Sequence, residues 1–204
     1  LKEVAKESGP EMSPQNVKSH NSSTLGYQWQ VKDTLWHYWS SVARQNNDPD
    51  IVLANKDEDI SLFVYGATLP SEEVSSNDLF KVLLVRLGVD PNEPSMEVRR
   101  VKVKNGKGDN MYAQEFSLTH TVNGYDFYYF GRYLYETDEN NNSRGILIVS
   151  WTQGINKKKY GKVMDNAIEG LTLGPVPQVE NSQKQKKFNA ALMSQVGMLR
   201  LVEN

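Results

Sequence analysis

The sequence predicts an α+β domain: a largely antiparallel central sheet of about six to seven strands flanked by helices, followed by a C-terminal amphipathic helix. Three observations lead there. Alternating apolar and polar residues recur through the middle of the chain. An Asn123-Gly124 pair joins two of these segments as a tight hairpin. Two further segments carry apolar residues at helical spacing. Strands linked by short hairpins, with a few long helices, pack as layers rather than as alternating βα units.

The 204 residues fit one medium domain with some extra chain. Residues 1–25 are polar, rich in Ser, Asn, Pro and Lys, and read as a flexible leader. The chain starts at Leu1 without methionine, and the expectation is that a membrane anchor ahead of this leader has been removed; a tail on a cytosolic protein is the alternative.

The domain proper is placed at 26–173. Tyr27, Trp29 and Val31 alternate with Gln28, Gln30 and Lys32, as in a half-buried strand. Leu35 to Trp39, with Val42 and Ala43 following, favour a short helix or turn packed by its Trp pair. Segments 50–54 and 60–67 are strands joined by the acidic turn at 56–59. A helix over 75–87 has Ser75 or Ser76 as its cap, Asp78 in its first turn and Gly88 as its stop. Strands follow at 97–104, 111–121, 125–135 and 145–152.

The Asn-Gly turn fixes a register in which Glu115 faces Arg132, Phe116 covers Gly131, Leu118 faces Tyr129 and Tyr112 faces Tyr135. If exposed, the ion pair contributes only about 0.2–1 kcal/mol. The strand at 125–135 is apolar on both faces, as expected of a central strand with a layer on each side. A second helix, about 156–171 with Gly170 or Gly174 as its stop, buries Tyr160, Val163, Met164, Ala167, Ile168 and Leu171.

Gly174-Pro175-Val176-Pro177 opens a linker at 174–181. Residues 182–204 then form the amphipathic helix, with Phe188, Leu192, Val196 and Leu199 along one stripe. That stripe is expected to meet a protein partner or a second copy of the chain; docking on the main domain is the alternative.

The order of a strand, a Trp-bearing turn, "PDIVLANKDEDISLFVYG", a Ser-capped helix, a meander closing on "GILIVSWTQG" and a final helix resembles the PsbP-like superfamily, which includes bacterial DcrB-like lipoproteins. The resemblance covers about residues 26–173. It implies a non-catalytic binding or assembly module, often attached to membranes, in the bacterial periplasm or cell envelope. A cytoplasmic location is the alternative. No residue matches the metal chemistry of the photosystem member, so the resemblance is carried over for the fold and not for cofactors.

Composition narrows the chemistry further. With 25 acidic and 23 basic side chains the formal charge is −2, which argues against general nucleic-acid binding. No apolar run approaches the ~20 residues that span a bilayer. Zero cysteine removes disulfides, thiolate metal sites and cysteine nucleophiles. His20, His37 and His120 stand apart, without the spacing of a metal site or a catalytic pair. No G-x-S-x-G is present, and Asn105-Gly106-Lys107-Gly108 reads as a hairpin turn rather than a phosphate loop.

Residues 138–143 begin like a calcium loop, but position 6 is Ser143 and position 12 is Val149, so a solvated loop fits better. Two basic strips, Arg99 to Lys107 and Lys157 to Lys162, read as an edge strand guarded against aggregation and as the wet face of a helix; contact with anionic lipid or an acidic protein is the alternative.

No catalytic residue, metal or cofactor is therefore expected. The expected function is a non-enzymatic, envelope-associated module acting through protein contacts. The alternative is a small-ligand or lipid-binding domain with an aromatic pocket between sheet and helix, built from Trp36, Trp39, Tyr129 and Tyr133.

Overall fold

A computed structural model of the chain describes residues 16–39, 49–72, 74–179 and 183–202. Among these, two sheets and three helices form three layers. The central layer is a seven-stranded antiparallel sheet in the order β3(His37–Tyr38), β4(Ile51–Ala54), β5(Ile60–Pro70), β9(Asn142–Gln153), β8(Tyr125–Thr137), β7(Asn110–Val122), β6(Glu97–Lys104). One face carries α1(Ser76–Leu87) and α3(Gln183–Val202). The other carries α2(Lys157–Glu169) and a small sheet of β1(Ser19–Ser22), β2(Tyr27–Gln30) and β10(Leu171–Leu173).

The hairpin register is the one that Asn123-Gly124 dictates. Both turn residues have positive φ, 51° and 80°, as a type I′ turn requires. The ladder runs from Val122–Tyr125 to Gln114–Tyr133 and places Glu115 opposite Arg132 and Phe116 opposite Gly131. Tyr112 and Tyr135 lie beyond its end.

A Cβ added at Gly131 would sit 2.6 Å from Phe116 Cζ and 2.8 Å from the Ile148 carbonyl oxygen. Gly131→Ala is therefore expected to lose about 1–3 kcal/mol by overpacking. Phe116→Leu in the same chain should relieve part of that loss, and urea unfolding of the two single variants and the double variant measures the coupling.

Helix α1 begins where its cap allows. Ser75 Oγ accepts from the Asp78 amide at 3.1 Å, and Gly88, with φ 86°, closes the other end by donating to the Leu84 and Val85 carbonyls. Its apolar side fills the core with Tyr133, Leu147 and Val149 from the sheet and Leu192 and Val196 from α3. On the opposite face Trp29 donates from Nε1 to the Ala167 carbonyl of α2 at 2.8 Å and meets Trp36 edge to face. Both rings are fully buried.

Strand pairing revises three expectations. The leader read over 1–25 does not extend that far, because Val17 is buried and β1 pairs with β2. The Trp-bearing turn is an edge strand: His37 and Tyr38 pair with Ala54 and Leu53. Val42 and Ala43 lie outside the described residues. Helix α2 stops at Glu169, so Gly170 and not Gly174 is its stop, and Leu171 is not part of it. Gly170 lets the chain turn against the Gln30 carbonyl, where a Cβ would sit 2.5 Å away, and Leu171 begins β10 against β2.

Candidate functional site

The β7–β8 register sets Glu115, Ser117, Tyr128, Phe130 and Arg132 on the face that also bears α2, next to Glu97 and Arg99 of β6. Together Glu97, Arg99, Glu115, Ser117, Tyr128 and Phe130 line a groove of about 370 Å³. Glu115 is its charged floor. The carboxylate is 3% exposed and takes Arg99 Nε at 2.7 Å and Arg132 Nη2 at 2.7 Å, one on each oxygen, with Arg99 Nη2 also on the first.

Burial pushes the Glu115 carboxyl up, but the hydrogen bonds and charges of Arg132 and Arg99 outweigh it and hold the group below its ordinary value. Asp165 of α2 is moved the other way. Burial raises it first, then repulsion from Glu115 and Glu169, with Arg99 opposing. Tyr128 closes one wall; Lys157 Nζ stands 4.0 Å from the centre of its ring. The groove thus offers two guanidinium groups locked on one carboxylate, beside two aromatic rings. Glu115, Arg99 and Arg132 thus match one another in charge, while Glu97 of the same lining forms no ion pair among the described residues.

The four rings expected to share a pocket do not meet. Trp36 is buried on the α2 face. Trp39 packs on Phe63 at 6.3 Å, and Phe63 in turn stacks on Trp151, which stacks on Tyr129, all on the opposite face. Tyr133 is buried there too, stacked on Phe80 at 4.8 Å and donating its hydroxyl to the Ser76 carbonyl; burial raises its pKa. The groove is lined instead by Tyr128 and Phe130, the residues one position away.

On α3, Leu192 and Val196 are buried against α1 and Leu199 is packed partly against the same core. Arg86 Nε donates to Gln195 Oε1 at 3.1 Å across that contact. The side chain of Phe188 lies outside the described residues. Part of the stripe expected to meet a partner therefore meets the chain's own first helix.

The histidines do not converge. His20 is on β1, 3.7 Å from Asp50 and 3.1 Å from the Tyr38 hydroxyl. His120 Nδ1 is 3.4 Å from Glu93, and His37 is on the edge strand. Asp138 spends its carboxylate on its own turn, accepting from the Asn140 and Asn142 amides at 2.8 Å. Among the described residues no group of three or more His, Cys, Asp or Glu side chains could hold a metal ion, and no helix is long and apolar enough to cross a membrane.

A feature with no trace in the sequence lies at the far end of the same face. Arg144 is 1% exposed. Its Nη1 donates to the carbonyls of Leu25 (3.0 Å), Gly26 (2.5 Å) and Pro175 (3.3 Å), and its Nη2 to Gly174 (2.9 Å). Glu136 pairs with it at 2.9 Å. Burial lowers the guanidinium pKa, and Glu136 partly offsets that.

The fold is an α+β sandwich with helices on both faces of a seven-stranded antiparallel sheet, the class that the sequence predicts. No family model and no curated protein sequence matches the chain. Among solved structures it is similar to LpqN of Mycobacterium tuberculosis, described as involved in cell envelope biogenesis: TM-score 0.50, 10% identity, covering 77% of this chain and 90% of LpqN. The PsbP protein of Synechocystis sp. PCC 6803 (CyanoP) aligns with TM-score 0.37 and 11% identity, over 81% of this chain and 97% of that one. At this identity the likeness to LpqN is one of fold.

Proposed function

We propose that the chain is a non-catalytic, envelope-associated binding module that works through protein–protein contacts. The observation that supports this reading is the outer face of α3. With Leu192 and Val196 turned to α1, the helix exposes Ala190, Ala191, Met193, Ser194, Gly197 and Met198. Not one residue from 188 to 199 is charged. A helix on the outside of a domain normally carries charge on its wet side. A face of small residues and methionines is suited to a second helix, since it permits close approach and adaptable packing. The fold shared with a protein of cell envelope biogenesis supports placing the module in a bacterial envelope or periplasm.

The test keeps the full chain. Met193→Glu with Met198→Glu is expected to weaken self-association, or capture of the partner, about tenfold or more, since it puts charge into an apolar contact. Thermal unfolding of the monomer should stay unchanged. Light scattering follows self-association, and a photo-crosslinker at position 198 in the source cells follows partner capture. A chain that stays monomeric and yields no adduct at 198 would sink the proposal.

A second reading, a small-ligand or lipid-binding domain, is favoured by the groove over Glu115, whose volume is within the range of small-molecule sites. Native mass spectrometry of the gently purified chain distinguishes the two, since this second reading requires a bound small molecule that Phe130→Trp displaces.

A further inference from the structure

Strand β6 is an open edge of the large sheet; among the described residues it pairs with β7 alone. Its two rows of side chains differ in kind. On one, Val101 and Val103 lean on the core beneath α2, and Arg99 is bound to Glu115. On the other stand Arg100, Lys102 and Lys104, all exposed, spaced at about 6.6–6.8 Å as alternate residues of a strand are. Their cross-strand neighbours on β7 are Gln114, Tyr112 and Asn110, none of them a carboxylate. Among the described residues none of the three cations forms an ion pair. Arg100 lies 4.3 Å over the ring of Tyr112, which is itself 61% exposed.

An open edge is a template for another strand, and charge decides which one it accepts. Two copies of β6 laid side by side would set cation against cation, which is destabilising. The same three side chains attract a strand of opposite charge. Rejection of self and selection of a partner thus come from one row of residues.

The geometry points to β6 as the docking edge for an extended acidic segment of another protein. The segment adds to the sheet as a further strand, with carboxylates at alternate positions beside Arg100, Lys102 and Lys104 and apolar residues between them beside Val101 and Val103. This site is separate from the outer face of α3 and stands whether or not that face binds anything.

The experiment titrates the full chain with synthetic peptides: one alternating glutamate and valine, one of the same composition with its glutamates clustered, and one alternating lysine and valine. The alternating acidic peptide is expected to bind, the clustered one about tenfold or more weakly, and the lysine peptide not at all. Replacing Arg100→Glu, Lys102→Glu and Lys104→Glu together should weaken the acidic peptide at least about tenfold and invert the preference toward lysine. Binding should also weaken as salt rises, since the pairs are exposed.

N-methylation of alternate peptide residues separates backbone pairing from loose attraction: one set should abolish binding and the other should not. Should the triple reversal disturb folding, Lys102→Gln with Lys104→Gln serves in its place. Equal binding of the clustered peptide, indifference to both N-methylated sets, no binding of any peptide, or a dimer of the free chain broken by the triple reversal would each overturn the proposal.

Discussion

Arg144→Met is expected to cost about 3–5 kcal/mol, the largest loss from any single side chain outside the apolar core. The reason is the number of groups that depend on it. Methionine has comparable reach but no donor, so the carbonyls of Leu25, Gly26, Gly174 and Pro175 lose their partner together. Each buried acceptor left unsatisfied costs about 1–3 kcal/mol unless water reaches it. Glu136, with only 16% of its side chain exposed, is left as an uncompensated charge. Those carbonyls precede β2 and follow β10, which meet at one end of the small sheet where Leu173 pairs with Tyr27, so Arg144 ties that end to the large sheet.

Hydrogen exchange should therefore show residues 25–30 and 171–175 losing protection before the central strands. Arg144→Lys should recover only part of the loss, because a single ammonium cannot span carbonyls from two segments. Glu136→Gln added to Arg144→Met should recover another part by removing the stranded charge. A uniform loss of protection across both sheets would argue against this tie.

Why Arg144 was invisible in the sequence, while Asn123-Gly124 was not, comes down to the range of the interactions. The hairpin is local: a turn type set by two residues fixes every pair from Val122–Tyr125 to Gln114–Tyr133. The caps of α1 are local in the same sense. Glu136 faces Arg144 across the β8–β9 ladder, but the carbonyls that Arg144 holds lie more than a hundred residues earlier and thirty or more later, and nothing in "NNSRGIL" announces them. The short strands β1, β3 and β10 escape for a simpler reason: each has four residues or fewer and is too short to show a period.

The site suffered from a different ambiguity. Strand β8 is apolar on both faces, so its pattern does not say which side Tyr128 and Phe130 take and which Tyr129 and Tyr133 take. In a strand a shift of one position exchanges the faces. The expected pocket drew on Tyr129 and Tyr133, whereas the groove over Glu115 is lined by Tyr128 and Phe130 of the other row.

Glu115 joins the two lessons. Its partner Arg132 follows from the register, but its burial and its second partner Arg99 come from β6 and α2. A pair worth a fraction of a kcal/mol on an exposed sheet becomes, at 3% exposure, the acceptor for two guanidinium groups. Glu115→Gln is accordingly expected to cost about 3 kcal/mol at neutral pH, near the low end for breaking a buried pair, because Arg99 can turn to water while Arg132 cannot.

The loss must also depend on pH. The folded-state pKa of Glu115 lies below the ordinary value of 4.5, so the carboxylate contributes stability above that value. The contribution disappears as pH falls from 4.5 through the lower folded pKa. Urea unfolding of the natural chain and of Glu115→Gln should therefore differ most near pH 7 and converge in acid. A gap that stays constant down to acid would mean that Glu115 does not carry its charge in the fold. Replacing both partners, Glu115→Leu with Arg132→Met, should restore much of the loss at pH 7, since an apolar pair of similar size leaves no buried charge behind.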